Sequence, residues 1–188
     1  MNRRSSVQAL KSAILLLSLH CSGCSTQTDS DPSGLPGAPP PVSVSATPYY
    51  VEFRARPSLV TGHTYLVYGA LGPDGKPADQ TVLGFTPEGG VLGLIVGMIA
   101  MPGDIRRDFL DEKLPDYNVY RRYLSSSDYQ RLLTFVADEQ KQPKVWNMFV
   151  NNCNDFAADA AQAIGLRVPG DRFVPPPLFV LMLSNMNT

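Results

Sequence analysis

Apolar and polar positions change period along the chain, and the changes mark its elements. Tyr50-Val51-Glu52-Phe53-Arg54-Ala55 alternates in character and predicts a strand. Thr64 to Leu71 is β-branched and aromatic, a stronger strand signal. Gly72-Pro73-Asp74-Gly75 supplies turn chemistry, and Thr81 to Phe85 returns, so the two strands are expected to form an antiparallel hairpin. Asn118 to Leu124 predicts a further strand. Ser127 is then expected to cap a helix, with Gln130 completing a capping box and Tyr129, Leu132, Leu133 and Val136 forming its apolar stripe. Lys144 to Val150 reads as a strand leading into a second helix. That helix opens at Asn152, with Asp155 completing a capping-box-like pair, and Cys153 falls at its first position. Cys153, Phe156, Ala157, Ala160 and Ile164 share one face, and the alanines suit close approach to a flat neighbour such as a sheet. Gly165 and Leu166 predict a Schellman ending. After Pro169-Gly170, Val174-Pro175-Pro176-Pro177 runs into Leu178 to Leu183, a short packed helix with proline at its start.

Two stretches interrupt this order. Val91 to Met101 is almost wholly apolar with glycines, too short to span a bilayer, and reads as a buried loop or a hydrophobic flap. Pro102-Gly103-Asp104 is expected to end it, and Arg106 to Pro115 reads as a charged loop. The whole predicts an α+β domain over residues 49–188, an antiparallel sheet packed against a helix that carries a cysteine at its N-terminus.

The N-terminal end adds an address. Arg3, Arg4 and Lys11 precede a short apolar run, Ala13 to Leu19, so residues 1–23 read as a secretory signal peptide. Ser22-Gly23-Cys24 is similar to the end of a bacterial lipobox, with Cys21 where an aliphatic residue is usual. Lipidation is expected at Cys24, with ordinary cleavage and release as the alternative. Residues 24–48, rich in Ser, Thr, Pro, Gly and Asp, read as a tether without order of their own. The net charge of −1 carries no nucleic-acid or polybasic membrane signal.

With processing before Cys24 and lipidation there, the mature chain holds one free cysteine, Cys153, and one histidine, His63. A lone thiol in an exported protein has no internal disulfide partner and is a candidate for reactivity. The alternative is a small buried hydrophobe. A helix N-terminus favours thiolate, and a thiol nucleophile needs a base, for which an imidazole is the usual group. On these grounds Cys153 and His63 are expected to form a thiolate–imidazolium pair, with Cys153 titrating low and His63 high.

Gly62-His63-Thr64-Tyr65-Leu66-Val67-Tyr68, then Gly84-Phe85-Thr86-Pro87, then Asn152-Cys153-Asn154-Asp155-Phe156-Ala157 resembles the circularly permuted papain-like domains. These are the permuted NlpC/P60-like group, related to the lecithin:retinol acyltransferase-like proteins. The resemblance implies Cys153 as nucleophile, His63 as base, and a third polar group on the neighbouring strand. Thr86 is the residue counted opposite His63, with Asn147 and Glu88 as other candidates, and Asn152 and Asn154 flank the nucleophile as binding residues. It implies no cofactor and no metal. The expected function is a thiol hydrolase that cleaves an amide, in peptidoglycan or a related peptide, on a lipid-anchored protein of the bacterial envelope facing the periplasm. A lipid acyltransferase or thioesterase of the same fold is the alternative from the same chemistry. A non-catalytic envelope lipoprotein that uses the fold for binding is the alternative from another class.

Overall fold

A computed structural model describes residues 48–58, 62–89 and 100–188. The expected signal peptide, Cys24 and all but the last residue of the tether lie outside the described residues, as do residues 91–99 of the apolar run. Among the described residues six strands form one antiparallel sheet: β1 (Tyr49–Arg56), β2 (His63–Ala70), β3 (Thr81–Pro87), β4 (Met101–Arg106), β5 (Asn118–Leu124) and β6 (Lys144–Trp146). Their order is β5-β1-β2-β3-β4-β6. The described residues also form the helices α1 (Ser126–Lys141), α2 (Cys153–Ala163) and α3 (Pro176–Asn187), and a short 3-10 turn covers Phe109–Glu112. The chain is an α+β protein. Among the described residues no helix is long and apolar enough to cross a membrane.

Side chains alternate across a strand, and the sheet's two faces differ in kind. One face carries Val51, Phe53, Ala55, Leu66, Tyr68, Leu83 and Phe85, which join Phe156, Ala157, Leu132, Phe179 and Leu183 of the helices in the main core. Ala157, Ala158, Ala160 and Ala161 of α2 are fully buried, and their small side chains let the helix lie close on the strands. The other face carries, among the described residues, a small apolar cluster of Tyr50, Tyr65 and Val67. Around it stand charges. Glu52, buried, accepts from Arg54 Nε at 2.7 Å and Arg121 Nε at 2.6 Å. The β4–β5 connection folds over this face: Tyr117 N donates to Ala55 O at 2.7 Å, and the Tyr65 hydroxyl lies 2.9 Å from the Asp111 carbonyl.

The helix ends follow local chemistry. Asn152 Oδ1 accepts from Asn154 N, and Asn152 N donates to Asp155 Oδ2, giving the expected capping box on α2. Leu166 N donates to Ala161 O and Gly165 N to Gln162 O, the two bonds of a Schellman ending, with Gly165 at φ 81°. Three local expectations change. The cap of α1 is Ser125, not Ser127: Ser125 follows β5 directly in extended backbone, and its hydroxyl accepts from Asp128 N and donates to Asp128 Oδ2, so Asp128 rather than Gln130 pairs with the cap. Pro102 to Arg106 is not a loop but most of β4, and a Cβ at Gly103 would meet the Phe85 ring at 2.6 Å and Trp146 Cβ at 2.8 Å. Finally, β6 stops at Trp146 because Asn147 turns the chain, its Oδ1 accepting from Phe149 N and Val150 N.

Candidate active site

The strands that carry the candidate chemistry part company at one end of the sheet. The β2–β3 ladder runs from Tyr68–Thr81 to Tyr65–Gly84 and stops there, although β2 begins at His63 and β3 continues to Pro87. Beyond that last pair lies a cavity of about 700 Å³. Its walls are mainly apolar, with Phe85, Leu110, Trp146, Met148, Phe173 and Val174 among them. His63, Thr86, Asn152, Cys153 and Asn154 line the same cavity. Phe173 of this wall packs ring to ring against Phe149 at 5.0 Å, and both rings are partly exposed.

Cys153 enters this wall as the first residue of α2 and is a free, buried thiol. Burial pushes the thiol above its ordinary value, against the nearby backbone N–H groups of Thr64, Asn154 and Cys153, which favour thiolate. His63 comes from the start of β2. Alternation sets it on the face of Tyr65, opposite to Thr64, whose hydroxyl donates to Asn154 on α2. The imidazole lies over Gly84, where an added Cβ would fall 2.4 Å from Nε2. Burial, and next the Arg56 guanidinium, push its pKa down to about 3, with Asp108 pulling weakly the other way. At neutral pH the site thus rests as a neutral thiol and a neutral ring. The expected thiolate–imidazolium pair is not the resting state, because both groups are buried and no hydrogen bond joins them among the described contacts.

The other expected site residues fall as follows. Thr86 continues the β2–β3 register opposite His63 and shares its face, but its buried Oγ1 makes no hydrogen bond. It therefore does not hold the ring. Glu88 is exposed, and Asn147 is engaged in its own turn. Asn152 and Asn154 were expected to bind substrate, and the structure gives them other work. Asn152 caps α2 and donates from Nδ2 to Met148 O at 2.9 Å. Asn154 accepts from Thr64 Oγ1 at 2.6 Å and donates to Arg172 O at 3.0 Å and Val174 O at 2.8 Å. Those amides are committed to scaffold, and Asn154 pins the segment that forms one wall of the cavity.

No protein-family model, curated protein or solved structure matches this chain.

One carboxylate beside His63 escaped sequence reasoning. Asp111, in the 3-10 turn, places Oδ1 at 3.8 Å from His63 Nε2, and its carboxyl is fully buried. Arg56 donates from Nε to the same oxygen at 2.6 Å and lies 3.6 Å from Asp108. Burial raises Asp111 to about 6 against the pull of the Arg56 bond. His63 Nε2 and Asp111 Oδ2 are both buried without a partner. In the sequence Asp111 sits in a charged run that reads as solvent loop, and only Asp108, a capping type three residues before it, marks a turn there. Among the described residues no three His, Cys, Asp or Glu side chains converge to hold a metal.

Proposed function

We propose that the domain is a thiol-dependent acyl hydrolase of the permuted papain-like kind, with Cys153 as nucleophile and His63 as general base. The observation that carries this reading is the free thiol at the N-terminus of α2, on the wall of a cavity that His63 also lines. A neutral imidazole is the form that accepts a proton. It takes the thiol proton as the sulfur attacks an amide carbonyl, and the Cys153 N–H at the helix N-terminus faces the developing oxyanion. The amine leaves with the proton from His63, a thioester remains on Cys153, and His63 then takes a proton from water, whose oxygen releases the acid and frees the thiol. The substrate class proposed is an amide of peptidoglycan or a related envelope peptide, reached by a lipid-anchored protein exported through residues 1–23 and held at Cys24.

One observation favours a second reading. The cavity walls are apolar, which suits an acyl chain, so an ester or thioester of a lipid is the alternative substrate for the same two residues. Incubation of the purified chain with peptidoglycan and, separately, with acyl lipids separates the two readings. Loss of turnover in Cys153→Ala and in His63→Ala, with the double variant no worse than either, supports the enzyme. No turnover on either substrate, with no labelling of Cys153 by a thiol-directed hydrolase probe, leaves a binding module.

A further inference from the structure

His63 is poorly placed to act as a base by itself. A ring held at about pKa 3 has little affinity for the thiol proton, and catalytic pKa values lie near the working pH. Something must stabilise the imidazolium as it forms. The charged and titratable groups facing the ring come from each element around it: Arg56 on β1, Tyr65 on β2, Arg106 on β4 across from Gly84, Asp108 and Asp111 in the β4–β5 connection, and Cys153 on α2. Arg106 pairs at 3.7 Å with Asp104 and Arg56 is bound to Asp111. Among the described residues Asp111 brings a carboxylate to 3.8 Å from Nε2, and His63 Nε2 and Asp111 Oδ2, like the cavity-lining Thr86 Oγ1, are buried without a partner.

Building on the enzyme reading above, we propose that Asp111 is the positioning residue of the site: it holds the proton of neutral His63 on Nε2, leaves Nδ1 as the base toward the cavity, and stabilises the imidazolium. Arg56 opposes it. Its guanidinium occupies Asp111 Oδ1 in the resting state and keeps the ring neutral. The 3.8 Å gap is longer than a hydrogen bond, so the carboxylate acts on Nε2–H through its charge, and such contacts tighten when substrate fills a site. A carboxylate behind an imidazole sets the tautomer and steadies the positive ring.

Nitrogen-15 NMR of the ring in the full-length chain tests this, with His63→Ala used to separate its signals from those of His20. The expected result is the Nε2–H tautomer in the parent at neutral pH, and a mixture of tautomers in Asp111→Asn. Arg56→Gln should raise the ring's titration midpoint by about one unit or more, Arg56→Lys should leave it low, and Arg56→Gln with Asp111→Asn should bring it back down. The double variant also removes the buried unpaired charge, so it reports even where Arg56→Gln does not fold. An Nδ1–H tautomer in the parent, or a midpoint in the double variant as high as in Arg56→Gln, overturns the proposal. The tautomer does not depend on Cys153 chemistry. An Nε2–H ring beside an inert thiol therefore sinks the enzyme reading and leaves the Asp111 assignment standing.

Discussion

The two faces of the sheet are built by different physics. Under the helices, Phe53, Leu66 and Phe85 meet the alanines of α2 in a dry core where burial of apolar area does the holding. On the reverse face, directed charge contacts hold Glu52, Arg54, Arg56, Asp111 and Arg121 around three apolar side chains, with His63 3.8 Å from Asp111. The candidate pair straddles this border. Cys153 arrives with the apolar face and has its thiol pushed up by burial. His63 arrives with the charged face and has its pKa set by burial and Arg56. The cavity opens where β2 and β3 part, and residues of both faces line it.

That contrast is open to attack by mutation, beginning with the largest effect. Phe53→Ala, in the fully buried apolar face, should lose about 3–5 kcal/mol in chemical denaturation, by lost transfer energy and a residual cavity. On the charged face, Glu52→Gln should lose about 1.5–3 kcal/mol, because two arginines keep a weaker acceptor. A Glu52 loss that matches the Phe53 loss would mean the charged face carries as much of the stability as the core. Gly84→Ala should lose about 1–3 kcal/mol and, unlike the first two, shift the His63 ring signals, since the new methyl would occupy the ring's place.

The smallest effect is in the pH dependence of stability. His63 is lowered from 6.5 to about 3 in the folded chain, so the unfolded chain binds its proton first and stability falls as pH drops from about 6.5 toward 3. Asp111 is raised from 3.8 to about 6, so the folded chain binds its proton first and stability falls as pH rises from about 4 to about 6. The two slopes oppose each other over most of that window. Thermal melts of Asp111→Asn should therefore lose stability with acid more steeply than the parent does. A parallel shift with no change in slope would argue that Asp111 is not titrating there.

Much of the fold was legible because its signals are local. β-branched and aromatic runs marked β1, β2, β3 and β5, and Asn152, Asp155, Gly165 and Leu166 announced both ends of α2. What escaped depends on distant partners. Gly103 makes sense in a strand only once Phe85 and Trp146 are beside it. Ser125 and Ser127 are equal as capping types, and where β5 ends decides between them. Asn152 and Asn154 look available for substrate until Met148, Thr64, Arg172 and Val174 take their amides. The direction of the two titration shifts needed burial, which no spacing of residues reports. Asp111 is 48 positions from His63, and only the β4–β5 connection's path over the charged face brings them together.

The central claim is that His63 activates a thiol that rests protonated. Its most direct measurement is the rate at which iodoacetamide labels Cys153 in the native full-length chain from about pH 5 to about pH 10, read at the Cys153 peptide by mass spectrometry, for the parent and for His63→Ala. The account predicts labelling without denaturant, with a midpoint above that of a free thiol because burial raises it, and slower labelling below that midpoint in His63→Ala. A thiol that stays unlabelled until the chain unfolds, or that labels identically with and without His63, would contradict it.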